Sequence, residues 1–454
     1  HRPVFCYTHA MASGEEQLKR LAAFHPALRV FSALRADFSA AKTYLVGGAV
    51  RDALLGRPVT DVDAVVAGVP REDLEPWLEA RGRTDLVGRV FGVYKFGTGA
   101  AAADIALPRS ERPTADSAGG FRDFDAQVDP FLPIERDLAR RDFTVNAMAF
   151  DLGAGALVDP YGGRRDLEAR QIRTVGDART RFTEDLSRVL RGLRFACQLN
   201  FDIERDTWDA LRSLAPDLNR TRARTDGRHE FVLPRETAGR ELAKACAAAP
   251  SRAARLFWDS GVLKLLLPEA TAGIGADPDA FFAPLAGVTD LPVALALLMR
   301  RVPGDGVRSA LSRAGLDGLS LPDGTRFGAE DVACLVRALQ NVPAPERIRA
   351  MAATEIEDRF LDPRHRFKLV TLMAGGKAAE AAAAKERTAD IRRTCGVADG
   401  PIPPLLTGAD ILATGIKEGP DVGAWLARVR EEQLTGRLRT REEALAWLKQ
   451  NAAR

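Results

Sequence analysis

Residues 44–46 form a short apolar run that stops at Gly47 and Gly48, and two aspartates one residue apart, Asp61 and Asp63, follow after a single helical segment. Few local backbones accommodate that order. Residues 44–46 read as a buried strand, Gly47-Gly48 as the turn, and residues 49–55 as a helix stopped by Gly56 and Pro58. Residues 61–66 read as the next strand, where side chains alternate, so Asp61 and Asp63 share one face and Val62 takes the other. Two carboxylates on one edge suit a hard divalent cation such as Mg²⁺. The neighbouring glycines, lacking Cβ atoms, let backbone N–H groups approach phosphate at a helix N-terminus. An Asp-x-Asp by itself also belongs to solvated strand ends and Asx turns, so the weight lies on the whole run from Gly47 to Asp63.

That run, Gly47-Gly48-Ala49-Val50-Arg51-Asp52-Ala53-Leu54-Leu55-Gly56 with Asp61-Val62-Asp63, closely resembles the signature of the superfamily of class II tRNA nucleotidyltransferases and bacterial poly(A) polymerases. The resemblance implies an α+β fold: a small, polymerase-beta-like nucleotidyltransferase head with a mixed sheet, followed by an all-α neck, body and tail. It implies that Asp61 and Asp63 are catalytic and hold Mg²⁺, and that Gly47, Gly48 and Arg51 bind the nucleotide. Asp104, in Ala103-Asp104-Ile105-Ala106-Leu107-Pro108-Arg109, stands where the family carries an acidic residue and is expected as a third catalytic carboxylate on a neighbouring strand.

The run Arg140-Arg141-Asp142-Phe143-Thr144-Val145-Asn146-Ala147 resembles the superfamily's Arg-Arg-Asp motif, which implies that Arg141 and Asp142 contact the incoming ribonucleotide. The chemistry is apt, because guanidinium forks bind phosphate oxygens and a carboxylate accepts a ribose hydroxyl. A structural Arg-Asp pair at a helix cap is the plainer reading of the tripeptide alone. Residues 159–167 resemble the segment that closes the head and read as structural. The polar stretch between Pro113 and Glu135 stands where the family has a flexible loop, and its length argues against the loop deletion of relatives that add only CC.

Glu184-Asp185-Leu186-Ser187-Arg188 matches Glu-Asp-x-x-Arg at the start of the helical neck. Three residues apart on one helix, Asp185 and Arg188 would share a face and offer acceptors and donors to a base edge. The resemblance implies that they pair with cytosine and, after a small rearrangement, adenine, and that Arg191 and Arg194 also bind nucleotide. An intrahelical salt bridge is the plainer alternative.

A chain of 454 residues is expected to form two to four domains. The expected division is an N-terminal extension and helix over 1–40, the head over 41–180, the neck over 181–255, the body over 256–400 and a tRNA-binding tail over 401–454. Residues 1–10, upstream of Met11, read as an extension. Helical periodicity is expected over 182–199, 234–248 and 258–267, a Gly/Pro/Asp-rich linker over 303–326, and an alanine-rich helix over 374–387. Residues 400–404 are dense in helix breakers. In the tail, residues 406–410 and 415–420 introduce helices whose N–H groups could hold tRNA phosphates, ordinary helix starts being the plainer reading.

With 46% hydrophobic and 28% charged residues the composition is that of a globular protein, and no apolar run approaches the ~20 residues needed to span a bilayer, so no membrane role is expected. A formal net charge of +3 excludes a uniformly basic surface, although arginines cluster over 164–194 and 220–240. The five cysteines have no paired spacing, which points away from zinc and disulfides and toward a reducing cytoplasm. Neither His229 nor His365 precedes an aspartate, so no His-Asp phosphohydrolase dyad is visible.

The resemblance therefore implies addition of C, C and A to a tRNA 3′ end without a nucleic-acid template, from CTP and ATP with release of pyrophosphate, the acceptor stem being held by neck and body arginines. The alternatives are an enzyme adding only A or only CC, a poly(A) polymerase, a small-molecule nucleotidyltransferase, and a non-catalytic RNA-binding or tRNA-folding protein. Gly88-Arg89-Val90-Phe91 stands where the poly(A) branch is expected to have Gly-Arg-Arg-Phe, and intact Asp61, Asp63 and Asp142 weigh against a non-catalytic role.

Overall fold

The computed structural model describes residues 14–87, 92–98, 101–114, 119–120, 124–223, 227–320, 326–361, 373, 375–398 and 400–452. Residues 1–10, the Gly88-to-Phe91 run, residues 115–118 of the polar stretch and His365 lie outside them. The chain divides into two compact units, one ending at Leu266 and the other beginning at Leu267.

In the first unit, helices α1 (Gly14–Phe24) and α2 (Pro26–Asp37) precede β1 (Lys42–Val46), α3 (Gly48–Leu54), β2 (Asp63–Ala67) and α4 (Arg71–Glu79). Strands β3 (Arg83–Val87), β4 (Val93–Thr98) and β5 (Ala101–Ala106) follow, then a ribbon of β6 (Arg109–Pro113) and β7 (Phe124–Val128). Helix α5 (Ile134–Ala139) leads to β8 (Ala149–Asp151) and β9 (Ala156–Val158). The main sheet has the order β3-β4-β5-β2-β1-β8-β9; β2 and β5 are parallel and its other pairs antiparallel. The head is thus the expected mixed-sheet α+β fold.

The central strands explain themselves. β1 and β2 are buried after their first residue, as continuous apolar runs must be when both faces of a sheet are covered. On one face Tyr44, Val46, Val65, Ala67 and Ala149 pack against Ile134 and Leu138 of α5. Gly68 then turns the chain out of β2 with φ of +79°, and a Cβ there would lie 2.0 Å from the Ala40 carbonyl oxygen. Its N–H donates to the Pro130 carbonyl at 2.6 Å, tying the strand end to the approach to α5.

After the sheet come α6 (Gly163–Glu168), α7 (Ala178–Glu184), α8 (Ser187–Leu199), α9 (Arg205–Leu214) and α10 (Arg235–Ala248). The single helix expected over 182–199 is two, because Asp185 is extended at φ −150° and ψ 103°. Its carboxylate accepts the Ser187 N–H at 2.9 Å, and a short acidic side chain that satisfies a following N–H starts a new helix rather than continuing the old one. Asp185 and Arg188 therefore do not share one helical face; the aspartate precedes the helix that carries the arginine. α8 packs on α10 and is buried along most of its length.

The second unit is mostly helical. Leu291–Met299 is buried from Val293 onward and is capped by the Asp290 carboxylate on the Val293 N–H. Leu406, Ile411, Val429, Leu438, Ala444 and Leu448 form a further core. The expected linker over 303–326 contains a helix, Gly304–Arg313, whose Val307, Ala310 and Leu311 recur at helical spacing and are buried. The expected alanine-rich helix runs over Ala378–Thr394. Among the described residues no helix is long and apolar enough to cross a membrane.

Gly68→Ala combines a positive φ with a backbone collision, so urea unfolding should show a loss on the order of 2 kcal/mol or more. Wild-type stability in that variant would contradict the close packing of this turn.

Candidate active site

Gly47 precedes α3 with φ of +66°, and a Cβ there would lie 2.8 Å from Arg141 Nη1. The positive φ favours glycine, and the missing Cβ leaves room for the guanidinium beside it. Asp63 opens β2, whereas Asp61 lies just before it rather than within it as expected. The expected alternation still holds, with Asp61 and Asp63 exposed around a buried Val62. It holds because the Val62 carbonyl accepts the Asp104 N–H at 2.8 Å and so continues the pairing one residue beyond the strand.

Asp104 sits opposite Asp63 in the β2–β5 register, and its Oδ1 lies 3.5 Å from Lys95 Nζ. Although Asp63 is exposed at the surface, the protein packed around its carboxyl desolvates it and pushes it above the usual carboxylate range, and Asp104 and Asp61 add to the rise against the pull of Arg141 and Lys95. Crowded hard oxygens of this kind fit a divalent cation, whose charge would relieve that repulsion. Among the described residues no group of three or more His, Cys, Asp or Glu side chains is arranged to hold a metal. Asp61 and Asp63 would therefore supply two ligands, with phosphate and water completing the shell, as is usual for Mg²⁺.

Asp61 and Asp63 line a cavity of about 870 Å³, together with Gly47, Gly48, Arg51, Arg141, Asp142, Asp185, Arg188, Arg191 and Arg194. Of the residues singled out by sequence, Asp104 alone is missing from this lining. All the others converge from the turn after β1, α3, the start of β2 and the residues before it, the 140–146 segment, Asp185 and α8.

Asp142 lies at the centre. Its Oδ2 accepts Arg191 Nη2 at 2.6 Å and Nε at 2.8 Å, while Oδ1 accepts the Phe143 N–H at 2.8 Å and Asn146 Nδ2 at 3.1 Å. Burial alone would raise this carboxyl, but the Arg191 charge and these hydrogen bonds outweigh it and bring the pKa down to about 2. Four donors fill the capacity of a carboxylate, so a ribose hydroxyl can meet Asp142 only by displacing one of them. Asn146 in turn accepts Arg51 Nη1 at 2.7 Å through its side chain.

Arg140 and Arg141 are both held by Asp137, which is fully buried and has its pKa lowered because the two arginines overcome its burial. Arg140 also pairs with Glu111 at 2.7 Å, and its carbonyl accepts Arg188 Nη2 at 3.1 Å. Arg188 is further held by Glu184 at 2.9 Å. At the other end Arg194 pairs with Glu241 of α10 at 2.5 Å and stacks 3.9 Å above the Phe195 ring. Asp185 has its pKa raised by burial; Oδ1 caps α8, and Oδ2 lies 3.9 Å from Arg188 Nε. One carboxylate oxygen and one guanidinium edge thus lie side by side on the cavity wall.

Glu111, Asp137, Glu241 and Lys244 were not singled out by sequence. Glu241 and Lys244 come from α10, more than forty residues after the Glu-Asp-x-x-Arg motif, and nothing in their local pattern marks them. For Asp137 a signal existed: an acidic residue three and four positions before two arginines on a short helix is placed to hold both. In the second arginine cluster, Arg220 pairs with Asp217, Arg222 with Glu230, and Arg235 stacks 3.7 Å over Phe231; Arg224 lies outside the described residues.

A family model of the poly A polymerase head domain matches residues 43–173. That match takes in the main sheet and the Asp142 segment, so the likeness is one of the head, and the residues after 173 lie outside it. A multifunctional CCA protein of Stenotrophomonas maltophilia strain R551-3 is 42% identical over 250 residues, which is 54% of this chain and 55% of that protein. A multifunctional CCA protein of Laribacter hongkongensis is 39% identical over 276 residues, 61% of this chain and 62% of that protein. The chain therefore spans a little over half the length of the curated relatives it matches. The crystal structure of the Bacillus stearothermophilus CCA-adding enzyme in complex with CTP shares the fold at a TM-score of 0.63 and 24% identity, covering 98% of both chains. The Thermotoga maritima CCA-adding enzyme complexed with tRNA shares it at 0.60 and 22% identity, covering 95% of this chain and 98% of that one.

Because the folded pKa of Asp142 is depressed, its ionisation stabilises the fold above the unfolded carboxylate pKa of about 4, and that contribution is lost as pH falls toward about 2. Asp142→Asn should therefore lower stability by about 2 kcal/mol at neutral pH. The gap in melting temperature to wild type should be flat above about pH 5 and shrink as pH falls through that window. A pH-independent gap would contradict the ion-pair account.

Proposed function

We propose that this chain is a metal-dependent RNA nucleotidyltransferase of the CCA-adding type, which extends tRNA 3′ ends with C, C and A from CTP and ATP in the cytoplasm. The observation that carries the reading is that one cavity is lined by the two head carboxylates, the glycine turn and the Asp185–Arg188 pair. The similarity to multifunctional CCA proteins supports it. Within this reading the five-part division into extension, head, neck, body and tail, at 40/41, 180/181, 255/256 and 400/401, is retained as a proposal.

Mg²⁺ held by Asp61 and Asp63 would supply Lewis-acid activation of the RNA 3′-hydroxyl and neutralisation of the departing pyrophosphate. Asp104, paired in register with Asp63, orients that edge through the sheet. The backbone of Gly47 and Gly48, with Arg51 and Arg141, holds the triphosphate so that its α-phosphorus faces the carboxylate edge. Asp142 fixes Arg191 and Asn146 beside the ribose.

Base selection follows from hydrogen-bond chemistry. Cytosine and adenine each carry an exocyclic amino donor, where uracil and guanine carry a carbonyl acceptor. Asp185 can accept from that amino group while Arg188 donates to the adjacent ring nitrogen. A carbonyl facing Asp185 would instead bring two acceptors together. Both side chains are mostly buried, so a mismatched base would leave them without partners, which sharpens the choice.

Labelled-nucleotide incorporation into tRNA transcripts ending at the discriminator base, after C, and after CC tests the reading at single-nucleotide resolution. Addition of C, C and A to the first transcript, stopping there, is expected. A added only to the CC-ended transcript would replace it with an A-adding enzyme. Asp61→Ala and Asp63→Ala should each abolish incorporation with tRNA binding largely intact, and turnover retained in either would contradict the metal assignment.

A further inference from the structure

The arginines that line the cavity are all engaged. Arg51, Arg140, Arg141, Arg188, Arg191 and Arg194 each lie within ion-pair distance of a carboxylate. Lys244 lines the same cavity and, among the described residues, has neither a carboxylate within 4.0 Å nor a hydrogen-bond partner. It projects from α10 one turn after Glu241, whose carboxylate is committed to Arg194. Lys244 is exposed at the cavity wall, and partial desolvation with Arg194, Arg240 and Arg191 lowers the pKa of its ammonium against the pull of Glu241. A cation crowded by cations at the wall of a cavity is a place prepared for an anion.

Which anion follows from position. The charged neighbours of Lys244 belong to α8 and α10. The cations acting on Asp63 are Arg141 and Lys95, and the glycine turn faces Arg51 and Arg141. Lys244 is thus grouped with the α8 and α10 cations rather than with those beside the carboxylate edge. On the reading above, a second phosphate must enter this cavity, because an RNA 3′-hydroxyl brings the phosphodiester of its own nucleotide with it.

Resting on that reading, we propose that Lys244 binds a backbone phosphate at the 3′ end of the RNA substrate, so that α10 positions the primer while α8 selects the incoming base. Alanine is a good helix former, so Lys244→Ala should leave α10 intact.

The test compares wild type, Lys244→Ala and Lys244→Arg on a CC-ended tRNA transcript, measuring KM for the RNA and for ATP and RNA affinity across a salt series. Lys244→Ala should raise KM for the RNA on the order of tenfold, as for a lost hydrogen bond to a charged group. KM for ATP should hold, and Lys244→Arg should restore most of the loss. The slope of log affinity against log salt should become shallower by about 0.7, the value for one phosphate contact on single-stranded nucleic acid. Unchanged RNA affinity and salt slope, or an effect confined to ATP, overturns the proposal. Absence of incorporation by wild type would reject the transferase reading, while the binding and salt measurements would still decide the contact.

Discussion

The ion pair between Asp142 and Arg191 is the constraint on which the rest of the site depends. Asp142 belongs to the segment that follows α5, and Arg191 to the middle of α8. Their contact fixes the rotation of α8 against the sheet domain, and with it the direction in which Arg188 and Arg194 face the cavity. Asp142 is buried while Arg191 stays partly exposed, so losing the arginine would leave an uncompensated buried carboxylate, which costs more than breaking a surface pair. Reinforcement is local: the Asp142 carbonyl accepts the Val175 N–H at 3.1 Å, and the Thr144 N–H donates to the Arg173 carbonyl at 2.9 Å.

Charge is distributed along the cavity rather than pooled. At the β2 edge, the Asp61, Asp63 and Asp104 carboxylates crowd one another. Along the 140–146 segment and α8, guanidinium groups are each tied to a carboxylate, which holds them in place while leaving other N–H groups for ligand. Arg188 shows the principle, being fixed by Glu184 and by the carbonyls of Arg181 and Arg140. Fixed donors of this kind lose little freedom when a ligand arrives, which favours selective binding.

Much of the head could be read from the sequence because its signals are local. A strand, a glycine turn, a helix and an Asp-x-Asp lie within some twenty residues, and the pleat repeat of two carries Asp61 and Asp63 to one side even though the strand itself begins only at Asp63. The break at Asp185 was not legible, since the apolar periodicity on either side of it is continuous; only the contest between helix propagation and a side-chain cap decides it. Glu241 and Lys244 were hidden for another reason. They reach the site through packing of α10 on α8, a tertiary contact that no spacing in the chain records. Asp104 lies between these cases, on a neighbouring strand as expected but with its side chain turned to Lys95 and outside the cavity lining.

The central claim is that the protein wall itself reads the base, with Asp185 accepting the amino group shared by cytosine and adenine. The direct measurement is nucleotide selectivity of Asp185→Ala, with CTP, ATP, UTP and GTP offered in competition on the same tRNA transcripts. The account predicts that turnover persists while discrimination against UTP and GTP erodes. Wild-type selectivity in that variant would contradict it and place base choice elsewhere.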